Sequence, residues 1–225
     1  MRYCLFIIFI VIAVLRSSSQ PTKIVIKAGE SIDVLNSYIY QYPEFVDGKV
    51  YYNDGKAASG KMNLNLFSGT MQFINVGGDT LAIIEEHLKL VVIGEDSFHY
   101  DGQNYLQLLT ASPSMRLAVL QRLKLLDEQN TGAYGISGST HSIDNYNTLR
   151  ANNTHKLQLN KDLIFTSQRQ YYFSHGAADF LPATKRNITK AFFKQKKEIE
   201  NYFKQNDVDL NHEDGVRKLF AQFLK

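Results

Sequence analysis

Gly55-Lys56-Ala57-Ala58-Ser59-Gly60-Lys61 matches the first seven positions of a phosphate-binding loop, the sharpest chemical signature in the chain. Such a loop needs a Ser or Thr at the next position, whose hydroxyl binds the nucleotide's magnesium. It also needs a helix directly after, whose first amides hold the phosphates. Here the next residue is Met62, and a strand-like alternation follows. The segment therefore reads as a hairpin connection. Ser137-Gly138-Ser139-Thr140-His141 has the residue types of a serine hydrolase. The nucleophile elbow, however, is Gly-x-Ser-x-Gly between a strand and a helix. Gly135-Ile136-Ser137-Gly138-Ser139 lacks the last glycine and lies in a loop-like stretch unsuited to holding a nucleophile rigidly.

The histidines are His87, His99, His141, His155, His175 and His212. A zinc site on a helix would place two of them four residues apart, and no pair has that spacing. His99 sits between Phe98 and Tyr100 and reads as cross-strand packing. Glu85-Glu86-His87 offers acid–base groups, but three neighbours on an extended chain do not point the same way. The basic run Lys185, Arg186, Lys190, Lys194, Lys196 and Lys197, interleaved with Phe192 and Phe193, could meet an anionic lipid headgroup or a polysaccharide. The preferred reading is the wet side of amphipathic helices, where such charges are commonplace. Tyr38, Tyr40, Tyr42, Tyr51 and Tyr52 are suited to contacting sugars or proteins, and tyrosine is also an ordinary strand former. The sequence thus assigns no catalytic, cofactor-binding or metal-ligating residue, and no cofactor.

The chain opens with Arg2 and an unbroken apolar run from Leu5 to Leu15. Ser17 and Ser19 then stand at the −3 and −1 positions of a cut before Gln20. The run has the length of a signal-peptide core and falls short of the ~20 residues that span a bilayer. Residues 1–19 are thus expected to be a secretory signal peptide; the alternative is an uncleaved N-terminal anchor. The only cysteine, Cys4, precedes the apolar run, which argues against a lipoprotein. Cleavage would leave no cysteine, excluding a disulfide scaffold, a thiolate metal site and a cysteine nucleophile. Lack of disulfides in an exported chain leans toward a bacterial periplasm or surface. The formal charge of +3 becomes +1 once Arg2 and Arg16 are removed, so electrostatics gives no reason to expect nucleic acid as partner. No second apolar stretch is long enough to span a membrane.

The elements that would position any site follow from periodicity. From about Val50 to Thr110 apolar residues alternate with polar ones, as in half-buried strands of antiparallel sheets. Met62, Leu64 and Leu66 face one way and Lys61, Asn63 and Asn65 the other. Asn53-Asp54-Gly55, Gly77-Gly78-Asp79 and Asp101-Gly102 supply turns between these strands. Met115 to Asp127 is compatible with a helix opened by Ser112-Pro113, but Leu117, Val119, Leu123 and Leu125 share one face of a strand, the preferred reading. Residues 129–155, rich in Gly, Ser and Asn, read as a mobile loop. Strands resume at His155–Asn160 and around Asp162–Ser174. After Pro182 the pattern is helical, with Thr184 as N-cap. Ile188, Ala191, Phe192, Ile199, Tyr202 and Phe203 form an apolar stripe, and Glu200 and Lys204 an i,i+4 pair. Asn211 is expected to cap a last helix bearing Val216, Leu219, Phe220, Phe223 and Leu224.

Gly48-Lys49-Val50-Tyr51-Tyr52, Asn63-Leu64-Asn65-Leu66, Met71-Gln72-Phe73-Ile74, Gly78-Asp79-Thr80-Leu81 and Phe180-Leu181-Pro182-Ala183-Thr184-Lys185 resemble segments of a group of uncharacterised exported proteins of Bacteroidota. That group carries no assigned activity, so the resemblance transfers no site residue. It implies export and a β-rich body, and favours a strand at Met115–Asp127.

The expected architecture is mainly β (α+β). An antiparallel meander over residues 20–183 curls into a sandwich or partial barrel, and helices over 184–225 pack on it. Two functions remain open: a non-catalytic envelope or extracellular module that binds protein, polysaccharide or lipid, and a hydrolase of an envelope or extracellular polymer. A carboxylate-based glycosidase would be the strongest form of the second, since paired carboxylates leave no local trace. The absence of every local catalytic motif leans against an enzyme.

Overall fold

The computed structural model describes residues 23–112, 114–129, 162–176 and 178–223. The leader, the Ser137–His141 motif, His141, His155 and the strand expected at 155–160 lie outside them. The described chain builds one antiparallel sheet of eleven strands followed by short helices. In chain order these are β1 (Lys23–Ile26), α1 (Ile32–Ile39), β2 (Val46–Tyr52), β3 (Ala57–Asn65), β4 (Thr70–Ile74), β5 (Thr80–Ala82), β6 (Leu88–Ile93), β7 (Asp96–Tyr100), β8 (Tyr105–Ala111), β9 (Met115–Gln129), β10 (Asp162–His175), β11 (Leu181–Pro182), α2 (Lys185–Ala191), a 3-10 turn (Phe193–Gln195), α3 (Lys196–Gln205) and α4 (Glu213–Phe223). The sheet runs β1-β10-β9-β8-β7-β6-β2-β3-β4-β5, and β11 pairs with β10.

Most connections are tight hairpins, and their turn residues explain the register. Gly55, Gly78 and Gly102 all have positive φ, the conformation these hairpin turns require. Met115–Gln129 is a strand, as its one-sided apolar row implies: Met115, Leu117, Val119, Leu123 and Leu125 are all buried. The open sheet curls rather than stacking as two. Beyond β3, the Leu66 carbonyl accepts the Leu123 N–H of β9 at 2.9 Å, bridging over β8, β7, β6 and β2. Inside that curl lie Val50, Met62, Leu64, Val91, Ile93, Phe98 and Tyr105. Burying each such side chain contributes roughly 1.5–3 kcal/mol.

Within the β body two expectations fail locally. Residues 32–39, placed in the β body by sequence, form a helix that buries Leu35 and Ile39 against Leu123, Leu125, Leu163 and Phe165. Leu35 and Ile39 are one turn apart, but eight residues are too few for a helix to declare itself without tertiary contacts. Asn63 and Asn65, expected on a wet face, are buried. The chain leaving α1 crosses them: Asn63 donates to the carbonyls of Tyr42 and Glu44 and accepts the Tyr42 N–H. Asn65 accepts from the N–H groups of Phe67 and Ser68.

The C-terminal helices cover the far end of β9 and β10. Thr184 caps α2, its hydroxyl accepting the Asn187 N–H at 3.2 Å. Ile188, Phe192, Ile199, Val216, Leu219 and Phe220 pack on Met115, Leu117, Val119, Tyr171 and Phe173. Asn211 does not open the last helix, which begins at Glu213. Asn211 instead donates its backbone N–H to Asp209 in a tight turn ahead of α4. Glu200 reaches back to Lys196 at 3.8 Å.

Candidate functional site

A cleft of about 300 Å³ opens where β10, the entry to α2 and the loop before α4 meet. Arg169, Gln170 and Tyr171 supply one wall, Pro182 to Lys185 the second, and Leu210 and Asn211 the third. It contains two cations, two amides, two hydroxyls and the apolar surfaces of Pro182, Ala183 and Leu210. Neither a carboxylate nor a histidine lines it.

The inward row of β10 explains why the cleft exists. That row reads Leu163, Phe165, Ser167, Arg169, Tyr171, Phe173, with period two. Leu163 and Phe165 are sealed by α1, and Tyr171 and Phe173 by the C-terminal helices. Ser167 and Arg169, between the two apolar clusters, are exposed. The chain also leaves this stretch without a described edge partner: β1 pairs with β10 up to Thr166, and β11 pairs with it from Tyr172. Burial pushes the Tyr171 hydroxyl up, and the neighbouring Arg169 partly offsets that.

A polar seam leads from the cleft across the same face of the sheet. Arg169 stands in register with Gln121 of β9, the one polar residue in that strand's inward row from Met115 to Leu125. Gln121 donates to Gln107 Oε1 at 2.8 Å, and Gln107 donates to Asp96 Oδ1 at 2.8 Å. The Tyr42 hydroxyl donates to the other Asp96 oxygen at 2.6 Å. Burial first, then the Asp96 carboxylate, pushes the pKa of that hydroxyl far above its ordinary value. From Gln121 to Tyr42 the seam is a continuous chain of hydrogen bonds, as suits a polar row between two apolar clusters. It divides the core under the helices from the core inside the curl.

The sequence candidates scatter. Gly55 to Lys61 is the β2–β3 hairpin and the start of β3, with Lys56 paired to Asp54 at 2.7 Å. His87 is exposed at positive φ, His175 packs against Phe192, and His212 pairs with Asp209. Among the described residues no three His, Cys, Asp or Glu side chains gather as a metal site. Glu85 alone of its triplet is engaged inward, accepting from the Tyr100 hydroxyl at 2.6 Å. That hydroxyl is pushed up to about 12, by burial first and then by Glu85. Of the tyrosines, Tyr38 and Tyr51 are exposed, whereas Tyr40 and Tyr42 bond to Gln72 and Asp96. They form no single shelf. Of the basic run, Lys185 alone lines the cleft, its ammonium 5.2 Å from the Phe203 ring centre.

On the opposite face of the sheet His99 lies half-buried against Phe180, 5.2 Å between ring centres, with the Arg116 guanidinium over the same Phe180 ring. Burial first, then Arg116, lowers its pKa below 6.5. The folded state thus binds fewer protons here than the unfolded state. Stability from this site is complete above the unfolded value and is lost as pH falls below it toward the depressed folded value. Urea unfolding between about pH 5 and 8 should show that loss in the native protein. His99→Gln should flatten this part of the profile, and an unchanged slope would remove His99 as its source.

No family model, no curated protein and no solved structure matches this chain.

Proposed function

We propose that this chain is an exported, non-catalytic binding protein of the cell envelope or extracellular space, and that its ligand sits in the cleft between β10 and the C-terminal helices. One observation carries the reading. The cleft offers hydrogen-bond donors, positive charge and apolar walls, and neither a carboxylate, a histidine nor a cysteine lines it. The N-terminal sequence and the resemblance to exported Bacteroidota proteins support the setting.

The rival, a carboxylate-based glycosidase, needs a carboxyl held protonated beside one that stays ionised. Asp54, Asp162 and Asp209 all have lowered pKa values, through hydrogen bonds from Lys56, Lys27 and Asn211 respectively. Those are anions locked in place, the wrong direction for an acid catalyst. Asp96, the carboxylate of the polar seam, is held by Tyr42 and Gln107 rather than by a second carboxylate.

Residues 20–225 are expected to turn over nothing in panels of glycosides, esters, phosphoesters and peptides, with or without divalent metals. Turnover abolished by Asp96→Asn would replace the binding reading with the hydrolase. Export has its own test. Mass spectrometry of protein from its native host should find an N-terminus near Gln20, and an intact Met1 terminus in the membrane fraction would overturn it.

A further inference from the structure

We infer that the cleft is an oxyanion site: Arg169 and Lys185 hold a carboxylate or phosphate group carried on a small sugar-sized body. The inference rests on the binding reading above and names the chemistry of its ligand.

The argument begins with charge accounting around the cleft. Two acidic residues adjoin it, and both are already engaged. Asp209 accepts the backbone N–H of Asn211 and faces His212. Glu213 accepts the Arg217 Nε at 2.7 Å, and Arg217 is further tied to the Thr110 hydroxyl. Arg169 and Lys185 remain with no carboxylate within ion-pair distance among the described residues. Two cations with no carboxylate partner among the described residues thus border one concave volume, Arg169 there meeting the Tyr171 hydroxyl. An anion entering it gains attraction to both, in a partly enclosed site where charge is less screened than on an open surface.

The geometry of the two cations is complementary. Arg169 presents a planar fork suited to two oxygens of one anion, from a sheet strand that fixes its backbone on the β9 side. Lys185 approaches from the far wall as a point charge, steadied over the Phe203 ring. Asn211 adds an amide able to donate to a hydroxyl or a third oxygen. Pro182 and Leu210 give the body of the ligand an apolar surface to lie on. About 300 Å³ is at the lower end of the range for small-molecule sites, which suits one sugar ring or a comparable end group.

The other clusters are closed by contrast. The Arg122 guanidinium is spent on Asn104 and lies against Gly69. Arg116 is spent on Ser174 and the Ala178 carbonyl.

The test titrates the purified protein with inorganic phosphate, with glucuronate and with neutral glucose, following backbone amide shifts of Arg169, Lys185 and Asn211 by NMR. At least one of the two anions should saturate those shifts; glucose should not. Which anion binds tighter assigns the group. Arg169→Gln and Lys185→Gln should each weaken binding by about tenfold, as loss of a charge-assisted contact does. Lys190→Gln, on the same helix but outside the cleft, should leave it unchanged. Anion binding that is absent, that survives both cleft substitutions, or that falls equally with Lys190→Gln overturns the inference. Glucose shifting the same amides as strongly in wild type and in Arg169→Gln also overturns it, while leaving a binding protein in place. Turnover of any probe would instead overturn the binding reading itself.

Discussion

Gly215→Ala is expected to destabilise the protein, although the same change in an ordinary helix stabilises it. Gly215 lies in the first turn of α4, where alanine would normally be favoured by about 1 kcal/mol. Here a β-carbon would overlap the backbone carbonyl of Asp209. That carbonyl cannot swing aside cheaply, because the Asp209 side chain is tied to Asn211 and His212. Either the turn or the whole helix must move. The helix carries Val216, Leu219 and Phe220, all buried, so its displacement unpacks the core beneath. Overpacking of this kind costs about 1–3 kcal/mol. Urea unfolding of the variant beside wild type checks the sign, and a gain in stability would show that the 206–212 turn yields freely.

Phe173→Ala should cost more, about 3–5 kcal/mol, the range for removing a buried aromatic ring. Phe173 is 1% exposed, and its ring centre lies 5.3 Å from Phe220 and 6.0 Å from Phe192. Beside Tyr171, it is a side chain through which β10 meets both α4 and the end of α2. Its loss should therefore loosen the helices before the curl, whose core is built from other residues. Limited proteolysis is expected to cut within residues 185–223 first, and unfolding should shift to lower urea. Phe193→Ala, removing a ring that is 69% exposed, is the control and should stay within about 0.5 kcal/mol of wild type. Equal effects of the two would refute the packing role given to Phe173.

The strands with Gly- and Asp-bearing turns were legible because their signals are local. Asn53-Asp54-Gly55 and Asp101-Gly102 specify hairpins whatever the rest of the chain does. Thr184 was legible for the same reason, since a cap is a matter of three residues. Asn63 and Asn65 were misplaced because their covering comes from residues 40–45, a contact alternation says nothing about. The α1 helix is too short to outweigh its surroundings by pattern alone. The cleft is assembled from three segments that meet only through sheet pairing and helix docking, so no spacing rule could reveal it. One trace was present nonetheless. The inward row of β10 is apolar at Leu163, Phe165, Tyr171 and Phe173 and broken by Ser167 and Arg169. An arginine interrupting a core-facing row marks a place where the core is open.

The pairing of β1 with β10 has a consequence for the order in which this molecule comes together. Lys23 to Ile26 bond to Leu163 to Thr166, joining the first strand to the tenth. Ribosomal synthesis therefore delivers β1 long before anything it can pair with. Closing so long a loop early is entropically costly, and topologies dominated by distant contacts fold slowly. The hairpins within β2 to β5 and within β6 to β9 are adjacent in sequence and can zip in turn, and the β2–β6 pairing then joins the two runs. β1 has no such neighbour to pair with. Its docking, with the α1 that follows it and the seal over Leu163 and Phe165, belongs to the last stage of folding. Until β10 emerges, the nascent chain is a sheet without its edge.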